Sequence, residues 1–239
     1  MSPAASRDVV LSELLLPMIC SYQKGIPIVM VPLRDACNVV KMVLEPIRNR
    51  PALRTDAPLD AIVAANESLA NWYATHGLDH LDQLYTDMPG SHHVVLLHAA
   101  LYGFVPVVQH EHKRIRGGLH NCPWYLIDVS AAGGQYHVLQ YLDSIDYTGC
   151  TTAAMDHAAI NNYPAIVEWL HKNRREGCSH RVLRGVVAAR NPVMLQWLVH
   201  NRPEVIKGID DAIMKAVQTQ QEDVLDWLAH ISRNRQLTI

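Results

Sequence analysis

His110, Glu111 and His112 stand in a row, with His120 and Cys122 close behind. Imidazoles, a carboxylate and a thiol are the usual ligands of zinc, and a histidine near a cysteine could activate a thiolate nucleophile. Neither chemistry is completed by the sequence. There is no HExxH, no paired CxxC and no third group or oxyanion-hole motif to orient a Cys122–His120 nucleophile. No GxxxxGK[ST] or GxGxxG is present either, and Gly117-Gly118 and Gly133-Gly134 read as loop and turn pairs rather than phosphate cradles. The expectation is a protein with no metal, no cofactor and no catalytic activity.

A different regularity accounts for these residues. Cys122, Cys150 and Cys178 are spaced 28 apart. The phrases VLQYLDSI, IVEWLHKN, MLQWLVHN and VLDWLAHI place an aromatic at Tyr141, Trp169, Trp197 and Trp227, in steps of 28, 28 and 30 residues. Small or β-branched pairs at Ser130-Ala131, Ala158-Ala159, Val186-Val187 and Ala216-Val217 keep the same steps. An earlier copy has Ala99-Ala100 and His110, each 31 residues before its counterpart, and a weaker one has Tyr73-Ala74 and Leu84. A fixed period in this range marks stacked supersecondary units.

Each unit reads as two helices. Met155, Ala158 and Ala159 share one helical face, and Ile166, Val167, Trp169 and Leu170 another. Pro164 and Pro192 open second helices, while Thr151, Ser179 and Pro123 sit where first helices begin. Asn121, Gly149 and Gly177, again 28 apart, are expected to supply left-handed turns between units. The recurring aromatics are expected to form the packing surface between neighbours, with Trp169→Ala costing about 3–5 kcal/mol.

The stretch AAINNYPAIVEWLH, Ala158 to His171, resembles the ankyrin repeat: Ala158-Ala159, Ile166-Val167 and Leu170 match the family pattern, and Gly103 and Gly134 keep its turn glycine where Asn162 departs from it. The family's Thr-Pro-Leu-His is here Ala153-Ala154-Met155-Asp156, and the period is near 28 rather than 33, so the residues of the projecting hairpin are missing. The resemblance implies an all-α solenoid of stacked helix-turn-helix units, roughly 5–6 of them. It also implies protein–protein recognition on a concave helical face, without enzymatic activity.

The array is expected over residues 58–233 as one elongated stack, with a short tail at 234–239. Residues 1–57 fall out of phase and read as a helical N-terminal cap, or alternatively as an adaptor segment faintly similar to an F-box through LSELLLPMICSY. No secretory leader and no apolar run of membrane-spanning length is found, and five scattered cysteines suit a reducing compartment, cytoplasmic or nuclear.

Net charge is −2, which gives no global pull toward nucleic acid or membrane. Residues 121–170 hold Asp128, Asp143, Asp146, Asp156 and Glu168 and no base, whereas 171–190 hold Lys172, Arg174, Arg175, Arg181, Arg184 and Arg190 against Glu176 alone. An alternative function, RNA reading by helical repeats, would need a basic groove that the acidic band interrupts. By phase, the residues facing a protein partner of unknown identity are His98, Leu101, Tyr102, Gly133, Asp156, His157, Ile160, Asn161, Arg184, Ala189, Lys215, Gln218 and Thr219. Asp156 and Arg184 hold equivalent positions with opposite sign and are expected either to pair or to meet a complementary partner. The chain is expected to be monomeric.

Overall fold

A computed structural model describes residues 35, 37, 38 and 59–236. Apart from those three early positions, the expected cap or adaptor over 1–57 lies outside the described residues, as does the end of the tail at 237–239. The described chain is helical and contains no strand. It falls into two compact units that part between His98 and Ala99.

The first unit contains α1 (Leu59–Ala64), α2 (Asn66–His76), a 3-10 turn at Leu78–His80, α3 (Leu81–Asp87) and most of α4 (Ser91–Tyr102). Ile62, Leu69, Trp72, Leu81, Leu84, Val94, Val95 and Leu97 form its interior.

The second unit continues with α5 (Val105–Arg114), α6 (Leu126–Ala132), α7 (Tyr136–Ser144), α8 (Thr152–Ile160) and α9 (Pro164–Asn173). It ends with α10 (Val182–Ala188), α11 (Pro192–Asn201), α12 (Ile209–Gln218) and α13 (Glu222–Gln236). Each of α6, α8, α10 and α12 packs on the helix that follows it, and α6, α8 and α10 each also pack on the next member of that series. Helices this short are marginal alone in water, so the packing of these pairs holds them. Pro164 and Pro192 stand at the starts of α9 and α11 as expected, and the Thr151 hydroxyl accepts from the Ala153 amide to cap α8.

The turn inside each pair is the same. Its pivot is left-handed at Gly103, Gly134, Asn162, Arg190 and Gln220, with φ of 83°, 75°, 59°, 55° and 53°. In the last four pairs the following amide, on Gln135, Tyr163, Asn191 or Gln221, donates to the carbonyl of Ser130, Ala158, Val186 or Ala216 at 2.8 to 3.2 Å. That bond closes the helix C-terminus over a left-handed residue. A side chain in this conformation costs about 1–2 kcal/mol, which Arg190 and Gln220 bear because the packing on either side fixes the turn. Of the three positions expected to turn left-handed between pairs, Gly177 does, whereas Asn121 closes a 3-10 turn and Gly149 is not left-handed; the left-handed residues before those two are Gly117, Gly118 and Asp146. A Cβ on Gly149 would instead run into the Tyr147 hydroxyl.

The recurring aromatics are not the buried anchors. Tyr141, Trp169, Trp197 and Trp227 are half-buried, while the leucine after each, Leu142, Leu170, Leu198 and Leu228, is buried. One residue further along a helix is a rotation of about 100°, enough to move a side chain from the core to its rim. Trp169 packs at that rim under the Arg174 guanidinium, 5.3 Å from its ring. In α5 the leucine position is held by Glu111, which has no exposed surface and is clamped by Arg114 at 3.1, 3.1 and 2.7 Å.

Candidate protein-binding surface

His110, Glu111, His112 and His120, which suggested metal or thiol chemistry, make contacts within the fold. Glu111 is turned inward to Arg114, with the His110 ring at 3.4 Å. His112 accepts from the Leu119 amide and lies edge-on to Tyr141 at 6.2 Å, while His120 stacks on Tyr147. Burial pushes the Cys150 thiol up, and Cys178 to about 12, so both are protonated at neutral pH rather than thiolate nucleophiles. Among the described residues no group of three or more His, Cys, Asp or Glu side chains is placed to hold a metal ion.

The residues expected on a partner-facing surface divide into three groups. His98 and Leu101 are interior. His98 has no exposed surface, bonds the Tyr73 hydroxyl at 3.3 Å and Asn66 at 3.0 Å, and burial lowers its pKa to about 4. Leu101 is buried, and its carbonyl lies against the backbone at Gly133, where a Cβ would not fit. Leu101 faces inward because the helices of neighbouring pairs approach to backbone contact there.

A second group joins one pair to the next. The Asp156 carboxylate does not meet Arg184; it accepts from the Ser179 amide at 2.8 Å. Asp128, 28 residues earlier, accepts from the Thr151 amide at 2.8 Å and from its hydroxyl. The Asn161 side-chain amide donates to the Ala132 carbonyl at 2.9 Å. One ion pair joins the acidic and basic bands: Arg174 bonds Asp143 at 2.9 Å. The third group has exposed surface: Arg184, Ala189 and Gln218 are exposed, and Tyr102, His157, Ile160, Lys215 and Thr219 are partly so.

Burial raises both joining carboxylates. Asp128 rises to about 6, opposed by its Thr151 bonds and helped by the nearby Glu176 and Asp156 charges; Asp156 rises to about 6 by burial, opposed by Ser179. A folded-state value above the ordinary 3.8 makes the folded chain bind protons more tightly than the unfolded one. Their contribution to stability is therefore full below about pH 4 and is lost as pH rises through about 6. His98, lowered to about 4, acts in the opposite sense over the window between about 4 and its ordinary 6.5. The carboxylate part is isolated by comparison with the Asp128→Asn, Asp156→Asn chain. The stability of the wild type minus that of this variant, from urea unfolding, is expected to fall as pH rises from 4 to 7. A difference that stays flat would show both groups already ionised at pH 4.

A feature that sequence phasing did not single out lies on the second helices. Between α9 and α11 runs a groove of about 240 Å³ lined by Asn162, Pro164, Val167, Glu168, Asn191, Val193, Met194 and Trp197. Val167 and Met194 are buried at its floor. Val193 stands at its rim with 76% of its surface exposed. The indole of Trp197 is held in place by His171 of the preceding pair, edge-on at 5.3 Å. The Asn191 side-chain amide donates to the Asn162 side-chain carbonyl at 2.7 Å and fixes one end. The arrangement is an apolar slot with amide groups at its mouth, suited to one apolar side chain of a bound polypeptide. The available signal was Val193, a β-branched apolar residue where the other copies have His137, Ala165 and Asp223.

No family model matches the chain, and no curated protein or solved structure matches it. Among the described residues no helix is long and apolar enough to cross a membrane.

Proposed function

We propose that this chain is a non-catalytic binding scaffold: an α-solenoid of ankyrin-like helix pairs that presents its helical surface to a protein partner. Support for the repeat reading comes from the five left-handed pivots kept in phase and from the successive packing of α6, α8, α10 and α12. The observation that carries the functional reading is Val193. A large aliphatic side chain left 76% exposed beside a slot with a buried apolar floor gains by contact with another apolar group. The slot anchors the partner, and Tyr102 and Arg184 on the other helix series extend the contact. Aromatic anchors dominate affinity at such interfaces, and exposed charges act more on register and on-rate.

The test begins with proteins retained by the wild-type chain from its native cell and identified by mass spectrometry. Each is then purified and titrated directly. Val193→Asp is expected to weaken binding at least about tenfold, the scale of one lost anchor, with the melting temperature unchanged. If Val193→Asp binds normally while Tyr102→Ala with Arg184→Glu does not, the slot is not the anchor. If the retained ligand is RNA and its retention falls steeply with salt, the protein-scaffold reading fails.

A further inference from the structure

Three consecutive helix pairs in the second unit show which positions touch the pair that follows. On α6 and α8 these are Asp128 and Asp156, bonded to Thr151 and Ser179. On the second helices they are His112, Asp143 and His171, which meet Tyr141, Arg174 and Trp197 of the next pair. In α10 and α11 the same two positions are Arg184, which is exposed, and Val199, which is partly so; in α12 and α13 they are Met214 and Ala229. Met214 is 61% exposed. One turn on, Val217 is 55% exposed, although its equivalents Ala131, Ala159 and Val187 are buried. Leu225 is likewise partly exposed, where its equivalents Val167 and Leu195 are buried. The α12–α13 pair therefore turns outward the same apolar side that its predecessors cover with another helix pair.

The charges on this side complement themselves. Along α13, Glu222, Leu225, Ala229 and Arg233 lie at i, i+3, i+7 and i+11, one helical stripe centred on the forward-facing Ala229. An acid stands at one end, a base at the other, and apolar residues between. Two such stripes laid antiparallel about a twofold axis bring Glu222 of each against Arg233 of the other, with Leu225 and Ala229 meeting in the middle. A parallel arrangement would place like charges together.

We propose that the α12–α13 face pairs with the same face of a second copy of this chain, α13 antiparallel to its mate, in a twofold dimer. The occupant is another copy because the stripe is its own electrostatic complement, and an isologous contact requires that self-complementarity. This departs from the monomer expected from the sequence. It places the interface away from the α9–α11 slot, so dimerisation and partner binding can fail independently.

Sedimentation of the full chain across the micromolar range is expected to show a species of twice 26.8 kDa whose population grows with concentration. Glu222→Arg alone and Arg233→Glu alone each oppose like charges twice, and each is expected to weaken the dimer at least about tenfold. The two changes together are expected to restore it, a rescue that a merely destabilised fold would not show. Met214→Glu is expected to give a monomer with the wild-type melting temperature. A monomer at every concentration overturns the proposal. So does a dimer that is indifferent to the charge reversals and to Met214→Glu, because the copies would then meet elsewhere.

Discussion

The Arg114→Ala chain is expected to be less stable than the wild type by about 3–5 kcal/mol, the cost of leaving a buried charge without its partner. Glu111 has no exposed surface, and three contacts of 2.7 to 3.1 Å join its two oxygens to the guanidinium. Without Arg114 the carboxylate keeps, among the described residues, the His110 ring at 3.4 Å. Arg114 itself is 29% exposed, so the reverse case is milder: a base that loses its acid can turn to water. Glu111→Leu places at this position the residue found at Leu142, Leu170, Leu198 and Leu228. Replacing a buried ion by an apolar group of similar volume is often neutral or stabilising by about 1–4 kcal/mol. Urea midpoints of the two variants should therefore move apart, Arg114→Ala far below Glu111→Leu. Equal midpoints would mean that Glu111 reaches water in solution.

The same residue shows how far the sequence could be read. Phase placed His110 at the aromatic position, and so Glu111 at the leucine position, but a carboxylate between two histidines suggests a ligand before it suggests a core. The period was legible because each stacked pair must repeat its apolar face at fixed spacing. The pivot was legible at Gly103, Gly134 and Asn162, whose types tolerate positive φ. It was hidden at Arg190 and Gln220, where neighbouring packing rather than residue type imposes it. Asp128 and Asp156 looked like members of a solvated acidic band. Their use as bonds between pairs is visible only beside Thr151 and Ser179, each 23 residues later, and a charge count has no access to that pairing. The expected face of first-helix residues failed at His98 and Leu101 because a repeat phase fixes equivalence between positions, not how closely two particular helices approach.

The aromatic phrase carries the second large effect, transferred to its neighbour. Leu170 is buried among the paired helices, and removing its side chain leaves a cavity that close-packed surroundings fill only in part. Leu170→Ala is expected to cost about 2–5 kcal/mol, a large share of the roughly 5–15 kcal/mol that holds a typical domain together. Trp169 is larger but sits at the rim. It contributes partial burial and a cation–π contact with Arg174, the latter worth about 0.5–1 kcal/mol at an exposed site. Its loss should cost below about 2 kcal/mol, because surface already half in water gains less by burial and opens no enclosed void. The ordering is the test: thermal or urea unfolding should rank Leu170→Ala well below Trp169→Ala. The opposite order would mean that the indole, not the leucine, is the side chain driven into the contact between pairs, and that the second helices are rotated by one residue from the arrangement described.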